Sequence, residues 1–186
     1  LHIPPEKITR LAACEDENGQ RGRRQSHLQA LRLAQQHGWQ KYLLLEDDAV
    51  ILKQEKHIQV LNTLLASLAK IPWQVMLLGG EISQGTMLKS LPGLVHARDC
   101  RKVCAYLVNS RYYPQLAQQM SNDEHSLEAC WQPLLRADKW LACYPSLCYQ
   151  RPGFSDTEKK TTDNIAHYFN KLPVVTKPST LPIADT

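Results

Sequence analysis

An α/β layer fold around a largely buried, mixed and mainly parallel central sheet is the fold class this sequence predicts. Three observations lead to it. Segments with apolar residues at helical spacing alternate with short apolar runs of strand type. Those runs are close to continuous in Leu, Val, Ile and Met, as strands covered on both faces are. The length of 186 residues suits one domain.

The elements follow in chain order. Lys7 to Cys14 (KITRLAAC) reads as a short strand, and Glu15 to Gly22 as a polar loop. From Gln25 to His37, Leu28, Leu31, Leu33 and Ala34 keep helical spacing. Ser26 suits the N-cap or first turn of that helix, and Gly38 its stop. Tyr42 to Leu45 reads as a buried strand. Ile58, Leu61, Leu64, Leu65 and Leu68 mark a second helix, closed before Pro72. Gln74 to Leu78 (QVMLL) is a second buried strand, with Gly79-Gly80-Glu81 as a tight turn or a ligand-facing loop. Lys102 to Val108 is a third strand. A helix through Tyr113 to Met120 takes Pro114 in its first turn. Leu127 to Leu135 is a short helix interrupted at Pro133, and Trp140 to Tyr144 a fourth strand. Residues 1–170 thus form the domain. Residues 171–186, with Pro173, Pro178 and Pro182, form an extended or mobile tail.

Composition narrows the function classes. Hydrophobic content is 43% and charged content 22%, ordinary for a globular protein. No apolar run approaches the ~20 residues that span a bilayer. A net charge of +4 is too small to argue for nucleic acid, but suits an anionic ligand or an anionic membrane surface. The six cysteines include no C-x-x-C pair, so they read as buried, reduced thiols of a cytoplasmic protein rather than a zinc site.

The informative stretch is KYLLLEDDAVI, Lys41 to Ile51. Three adjacent carboxylates end an otherwise apolar strand, where ligands of α/β sheets bind. Two unit charges ~4 Å apart cost about 1 kcal/mol in water and more near a protein surface. A divalent cation offsets that cost, and Mg²⁺ or Mn²⁺ prefers carboxylate oxygen. In an extended chain Glu46 and Asp48 point one way and Asp47 the other. The plainer reading is a polar loop whose acids cap a helix.

The surroundings carry a resemblance. Gly22-x-x-x-Ser26-His27, a helix, Gly38-Trp39 and YLLLEDDAVI resemble glycosyltransferase family 25, which includes lipooligosaccharide-synthesis enzymes and procollagen galactosyltransferases. CRKVCAYLVNSRYYPQL (Cys100 to Leu116) and YPSLCYQRPGFSD (Tyr144 to Asp156) are similar to two later segments of that family, in the same order. The resemblance implies a GT-A-like, Rossmann-type single domain. It implies inverting transfer of a hexose, galactose or glucose, from a UDP-sugar to a surface-glycan acceptor at the inner face of a membrane. It implies Asp48, with Glu46, as ligand of Mn²⁺ or Mg²⁺, and Glu46 and Asp47 near the metal shell or the ribose. Ser26 and His27 would sit by the donor or brace the acidic turn. Gln150, Ser155 and Asp156 would line the opposite wall.

Two departures stand beside this. The family's opening strand has no counterpart before Gly22, and the chain starts at Leu1 rather than Met. That implies a piece of a longer enzyme or a donor site without its first strand. The family's Asp-x-x-Leu element is blurred in SNDEHSLEACW, Ser121 to Trp131. The general base is therefore expected at Glu124, with Asp123 and Glu128 as alternatives. Arg23, Arg24 and Arg151 suit a departing diphosphate, although a solvated surface role is the plainer reading of each. A lone histidine such as His27 is more often packed and hydrogen-bonded than reactive, and Trp131 and Trp140 suit the core better than a sugar ring. The competing readings are a non-catalytic binding or adhesion domain of the same fold and, more distantly, a metal-dependent phosphoryl-transfer or hydrolytic enzyme.

Overall fold

A computed structural model describes residues 3–121, 125–155, 159–169 and 174–175. The elements are α1 (Gly19–Gln36), β1 (Lys41–Leu45), β2 (Ala49–Ile51), α2 (Glu55–Ser67), β3 (Val75–Met87), β4 (Leu94–Asn109), α3 (Tyr113–Met120), α4 (Leu127–Ala137), β5 (Trp140–Cys143), β6 (Cys148–Gln150), β7 (Gly153–Ser155), β8 (Lys160–Thr162), α5 (Ile165–Phe169) and β9 (Val174–Val175).

Alternation along the strands builds three layers. In β3, Val75 and Leu77 join one apolar cluster while Met76 and Leu78 join another. In β5, Trp140 and Ala142 face the first, Leu141 and Cys143 the second. Period two sends neighbours to opposite faces, so the sheet is covered on both. The first layer is α1, α3 and α4, through Leu31, Leu116 and Trp131 among others. The second is α2 and α5, through Leu61, Leu64 and Tyr168. Trp131 and Trp140 are fully buried, as the core reading expects.

The sheet order is β1-β4-β5-β3-β9, with β3 also paired to β4. The expected mixed sheet is present, but it is not mainly parallel. β1–β4, β3–β4 and β4–β5 are antiparallel, and only β3–β5 and β3–β9 are parallel. The physical reason is the β3–β4 connection, too short for the crossover that a parallel pair needs. Register shifts between Leu77 and Gly85 curl this long hairpin. Its two ends then flank β5, which pairs with Val75–Leu77 on one side and Leu94–His96 on the other. The Gly79-Gly80-Glu81 turn expected from sequence is therefore absent, because β3 runs straight through those residues.

Other boundaries moved for identifiable reasons. The helix expected from Gln25 begins at Gly19, capped by the Asn18 side chain, which accepts from Gln20 and Arg21 N–H. Gly38 is the stop as expected, with φ +63°, the left-handed value glycine takes at low cost. The strand expected at Lys7–Cys14 does not form. A 3-10 turn at Pro5–Lys7 leads into irregular chain laid on α1. Pro133 does not interrupt α4. An interior proline costs about 3 kcal/mol, but Leu127, Cys130, Trp131, Leu134 and Leu135 are all buried, at ~1.5–3 kcal/mol for each large apolar side chain. Within the expected tail, β9 adds to the sheet. All six cysteines are free thiols, five of them buried. Among the described residues no helix is long and apolar enough to cross a membrane.

Candidate functional site

β1 delivers its carboxylates into a turn, not into further extended chain. Ala49 N–H closes that turn on the Glu46 carbonyl at 3.0 Å. Glu46 N–H is held by the Cys104 carbonyl at 2.9 Å, and Arg151 N–H by the Asp48 carbonyl at 2.8 Å. The turn thus hangs between β4 and the β2–β6 ribbon. It opens on a broad cleft of about 2660 Å³, lined also by Arg23, His27, Glu128, Gln150 and Phe154.

The three acids have different environments. Glu46 has partners on both oxygens. Its Oε1 accepts from Arg23 Nε at 2.8 Å and lies 3.0 Å from His27 Nε2, and its Oε2 accepts from Gln150 Nε2 at 3.0 Å. Burial works to raise its carboxyl, but the charge of Arg23 and the bond to His27 outweigh it and hold the group at about 2. Asp47 is exposed. Asp48 has a buried Oδ1 without a hydrogen-bond partner. Burial, with Glu46 and Asp47 as negative neighbours, pushes its carboxyl up to about 6.

Arg23 is the centre that the sequence reading undervalued. Its Nη1 donates to Glu128 Oε1 at 2.5 Å and its Nη2 to the Val103 carbonyl at 2.8 Å, while Nε serves Glu46. One guanidinium therefore joins two carboxylates and a strand carbonyl, and both partners raise its pKa against the cost of burial. The surface role read for Arg23 and Arg24 is corrected here. Arg24 is 1% exposed, with Nη1 on the Met120 carbonyl at 3.1 Å. A usable signal was present: Arg23 and His27 are four apart and share one helix face.

The G-x-x-x-S-H segment acts first on its own chain. A Cβ on Gly22 would stand 2.6 Å from the Cys14 carbonyl, so glycine admits the N-terminal segment against α1. Ser26 is not an N-cap. It lies inside α1, accepting from Cys14 N–H at 2.8 Å and donating to the Gly22 carbonyl at 2.9 Å. His27 is buried and braces the acidic turn, with Nδ1 2.9 Å from the Tyr106 hydroxyl. A carboxylate only accepts, so Nε2 carries the proton toward Glu46. Behind Gln150 lies the Tyr168 hydroxyl, whose one proton is shared between the Lys102 carbonyl at 2.7 Å and Gln150 Oε1 at 2.8 Å.

The structure thus brings Ser26, His27, Glu46, Asp47, Asp48, Gln150 and Ser155 to one cleft. Ser155 is on β7, beyond Phe154, whose ring is exposed. Asp123, Glu124 and Asp156 lie outside the described residues. Glu128, the alternative acid, is at the cleft and paired with Arg23.

The fit of a divalent metal follows from these donors. Among the described residues no group of three or more His, Cys, Asp and Glu side chains is placed to hold one. Glu46 Oε1 already faces Arg23 and His27, and Oε2 accepts from Gln150. Asp48 Oδ1 has no such partner, with Asp47 beside it. A Mg²⁺-type ion is often held by one or two carboxylates, with substrate phosphate completing its shell, and Asp48 Oδ1 is a donor of that kind. No family model matches this chain, and no curated protein is found to resemble it.

Proposed function

We propose that the cleft binds a UDP-sugar and transfers its hexose, galactose or glucose, with inversion, to a hydroxyl of a surface-glycan acceptor. The observation that carries this reading is the half-buried Asp48 carboxylate at the mouth of a broad cleft, whose buried Oδ1 has no hydrogen-bond partner. A buried acid without a donor is unfavourable in the free protein and suits a bound cation. A Mn²⁺ or Mg²⁺ ion held by Asp48 would supply charge compensation for a diphosphate leaving group.

The chain's own residues provide the rest. Arg23, His27 and Gln150 hold Glu46 ionised and still, which fixes the turn bearing Asp48. In the transfer, an acceptor oxygen forms a bond to the anomeric carbon as the bond from that carbon to the diphosphate breaks. The hydroxyl proton passes to a carboxylate within ~3 Å. Glu128 is the described acid at the cleft for that role, and Glu124 and Asp123 are the alternatives before α4. The exposed Phe154 ring offers an apolar face for a sugar. The net charge of +4 suits an acceptor presented at an anionic, cytoplasmic membrane surface.

A second reading is supported by the partners that Glu46 already has. Arg23 already supplies the positive charge that a metal would bring, which suits a binding or adhesion domain that keeps the architecture without catalysis. Calorimetry of UDP binding with and without Mn²⁺, on wild type and Asp48→Ala, separates the two. The transferase reading expects Mn²⁺-dependent binding that Asp48→Ala abolishes. Absence of UDP binding by wild type under both conditions overturns it in favour of the binding domain.

A further inference from the structure

Two thiols that the cleft chemistry does not use lie behind the acidic turn. Cys104 is on β4 and Cys148 on β6. Their sulfurs are 3.9 Å apart, and the Cys104 S–H lies within reach of both Cys148 Sγ and the Gly79 carbonyl. The side chains are 0% and 1% exposed. Among the described residues this is the one pair of thiols in hydrogen-bond contact.

The surrounding backbone is shaped to the pair. A Cβ on Gly79 would stand 2.8 Å from Cys104 Sγ and 2.6 Å from the Cys148 carbonyl. Glycine at this position leaves room for both cysteines. Each strand is anchored close by. The Cys104 carbonyl accepts from Glu46 N–H at 2.9 Å, and Leu147 N–H donates to the Leu78 carbonyl at 2.9 Å. A disulfide closes at about 2.05 Å between sulfurs, so bonding asks for an approach of roughly 2 Å.

The two thiols are not equivalent in place. Cys104 is on a strand of the five-stranded sheet and Cys148 on the two-stranded ribbon outside it, so Cys148 is the sulfur a peroxide reaches first. Access comes through the ribbon that covers Cys148. β2 and β6 pair over three residues each, and so short a ribbon opens at less cost than the main sheet.

We infer that Cys104 and Cys148 are an oxidation site, at which a peroxide yields a disulfide that ties β4 to the β2–β6 ribbon behind the carboxylate turn. The Cys148 thiolate attacks one oxygen of the peroxide. The O–O bond breaks, and the departing hydroxide takes a proton to become water. Cys148 is left as a sulfenic acid. The Cys104 sulfur then attacks the Cys148 sulfur, the S–O bond breaks, and a second water leaves with the Cys104 proton. Two thiols lose two electrons in total, and one hydrogen peroxide is reduced to two waters. The inference does not depend on what the cleft binds.

The test treats the folded full chain with hydrogen peroxide, then quenches, denatures and alkylates it. The expected product loses two of its six thiols and yields a tryptic peptide joining Val103–Arg111 to Trp140–Lys159. Fragmentation should place the link at Cys148 and not at Cys143, and dithiothreitol should reverse it. The thermal midpoint should rise by about 5–10 °C, the scale of a disulfide in a domain of this size. Cys148→Ser should abolish the link. Peptide mapping of the wild type decides the matter even where that variant fails to fold. Six alkylated thiols after treatment, sulfinic or sulfonic acid without a link, or a link through any other cysteine would each overturn the inference.

Discussion

Glu46 and Asp48 stand two positions apart, yet their surroundings drive their carboxyls in opposite directions, to about 2 and about 6. The consequences for stability have opposite signs. Glu46 is depressed below its ordinary 4.5, so its contribution is present above that value and lost as pH falls toward 2. Asp48 is raised above its ordinary 3.8, so its contribution is present below that value and lost as pH climbs through 6. At pH 7.5 the ionised Asp48 is therefore a liability of the ligand-free protein. Asp48→Asn is expected to stabilise it there by about 1 kcal/mol, a modest figure because solvent screens a half-buried group. The gain should fade by pH 4. Thermal midpoints at the two pH values check this, and equal effects at both would show that Asp48 is not desolvated. Gly22→Ala poses a different residue-scale question. Alanine gains about 1 kcal/mol of helix propensity over glycine, but its Cβ would meet the Cys14 carbonyl at 2.6 Å. The N-terminal segment is the weaker partner, so it should yield. Global stability should change little, while exchange of Cys14 N–H, now bonded to Ser26 Oγ, should accelerate severalfold.

Elements were legible in the sequence where burial is periodic and illegible where distant partners set the boundary. The spacing of Leu28, Leu31 and Ala34 gave α1, and that of Leu61, Leu64 and Leu68 gave α2. All six side chains are buried. β1, β5, the start of β3 and the last half of β4 stood out as apolar runs. Their ends did not, because β3 and β4 continue through polar residues such as Glu81, Gln84, Asp99 and Arg101, whose backbones pair across the hairpin. Nothing local in Gly79-Gly80 distinguishes a turn from a strand glycine. The difference is the Cys148 carbonyl, far away in sequence, which would touch a Cβ at residue 79. Gly79→Ala is accordingly expected to cost about 3 kcal/mol by overpacking, read from urea unfolding, whereas Gly80→Ala, with its nearest contact a Val103 methyl at 3.2 Å, should cost clearly less. The acidic turn was legible as a special place from charge repulsion alone. The agent of compensation was not, since Arg23 lies in the preceding helix and its second carboxylate partner, Glu128, is 105 residues from it.

At the scale of the molecule, Glu46 is where polar ties from both helical layers meet at the sheet. Arg23 of α1 reaches it from one layer and is itself tied to Glu128 of α4. Gln150 of β6, steadied by Tyr168 of α5, reaches it from the other. The apolar clusters hold each layer to its own face, while this network crosses between them. Removing one member of a buried ion network leaves its partners desolvated without compensation, which costs about 3–5 kcal/mol. Arg23→Met and Glu46→Gln should each fall near the lower end, since Glu128, His27 and Gln150 retain other contacts. The double variant should lose less than the sum by about 1–2 kcal/mol, because the second change removes the charge that the first left stranded. Urea unfolding of the four proteins gives that coupling, and strictly additive losses would show that the two side chains act separately. Amide exchange then tests the reach of the network. If Glu46 ties the layers together, Glu46→Gln must release protection both at the N-terminal half of α1 and at β6 and α5, on opposite faces of the sheet. A loss confined to the turn that bears Asp48 would make Glu46 a local brace, and the layers would then be joined through the sheet alone.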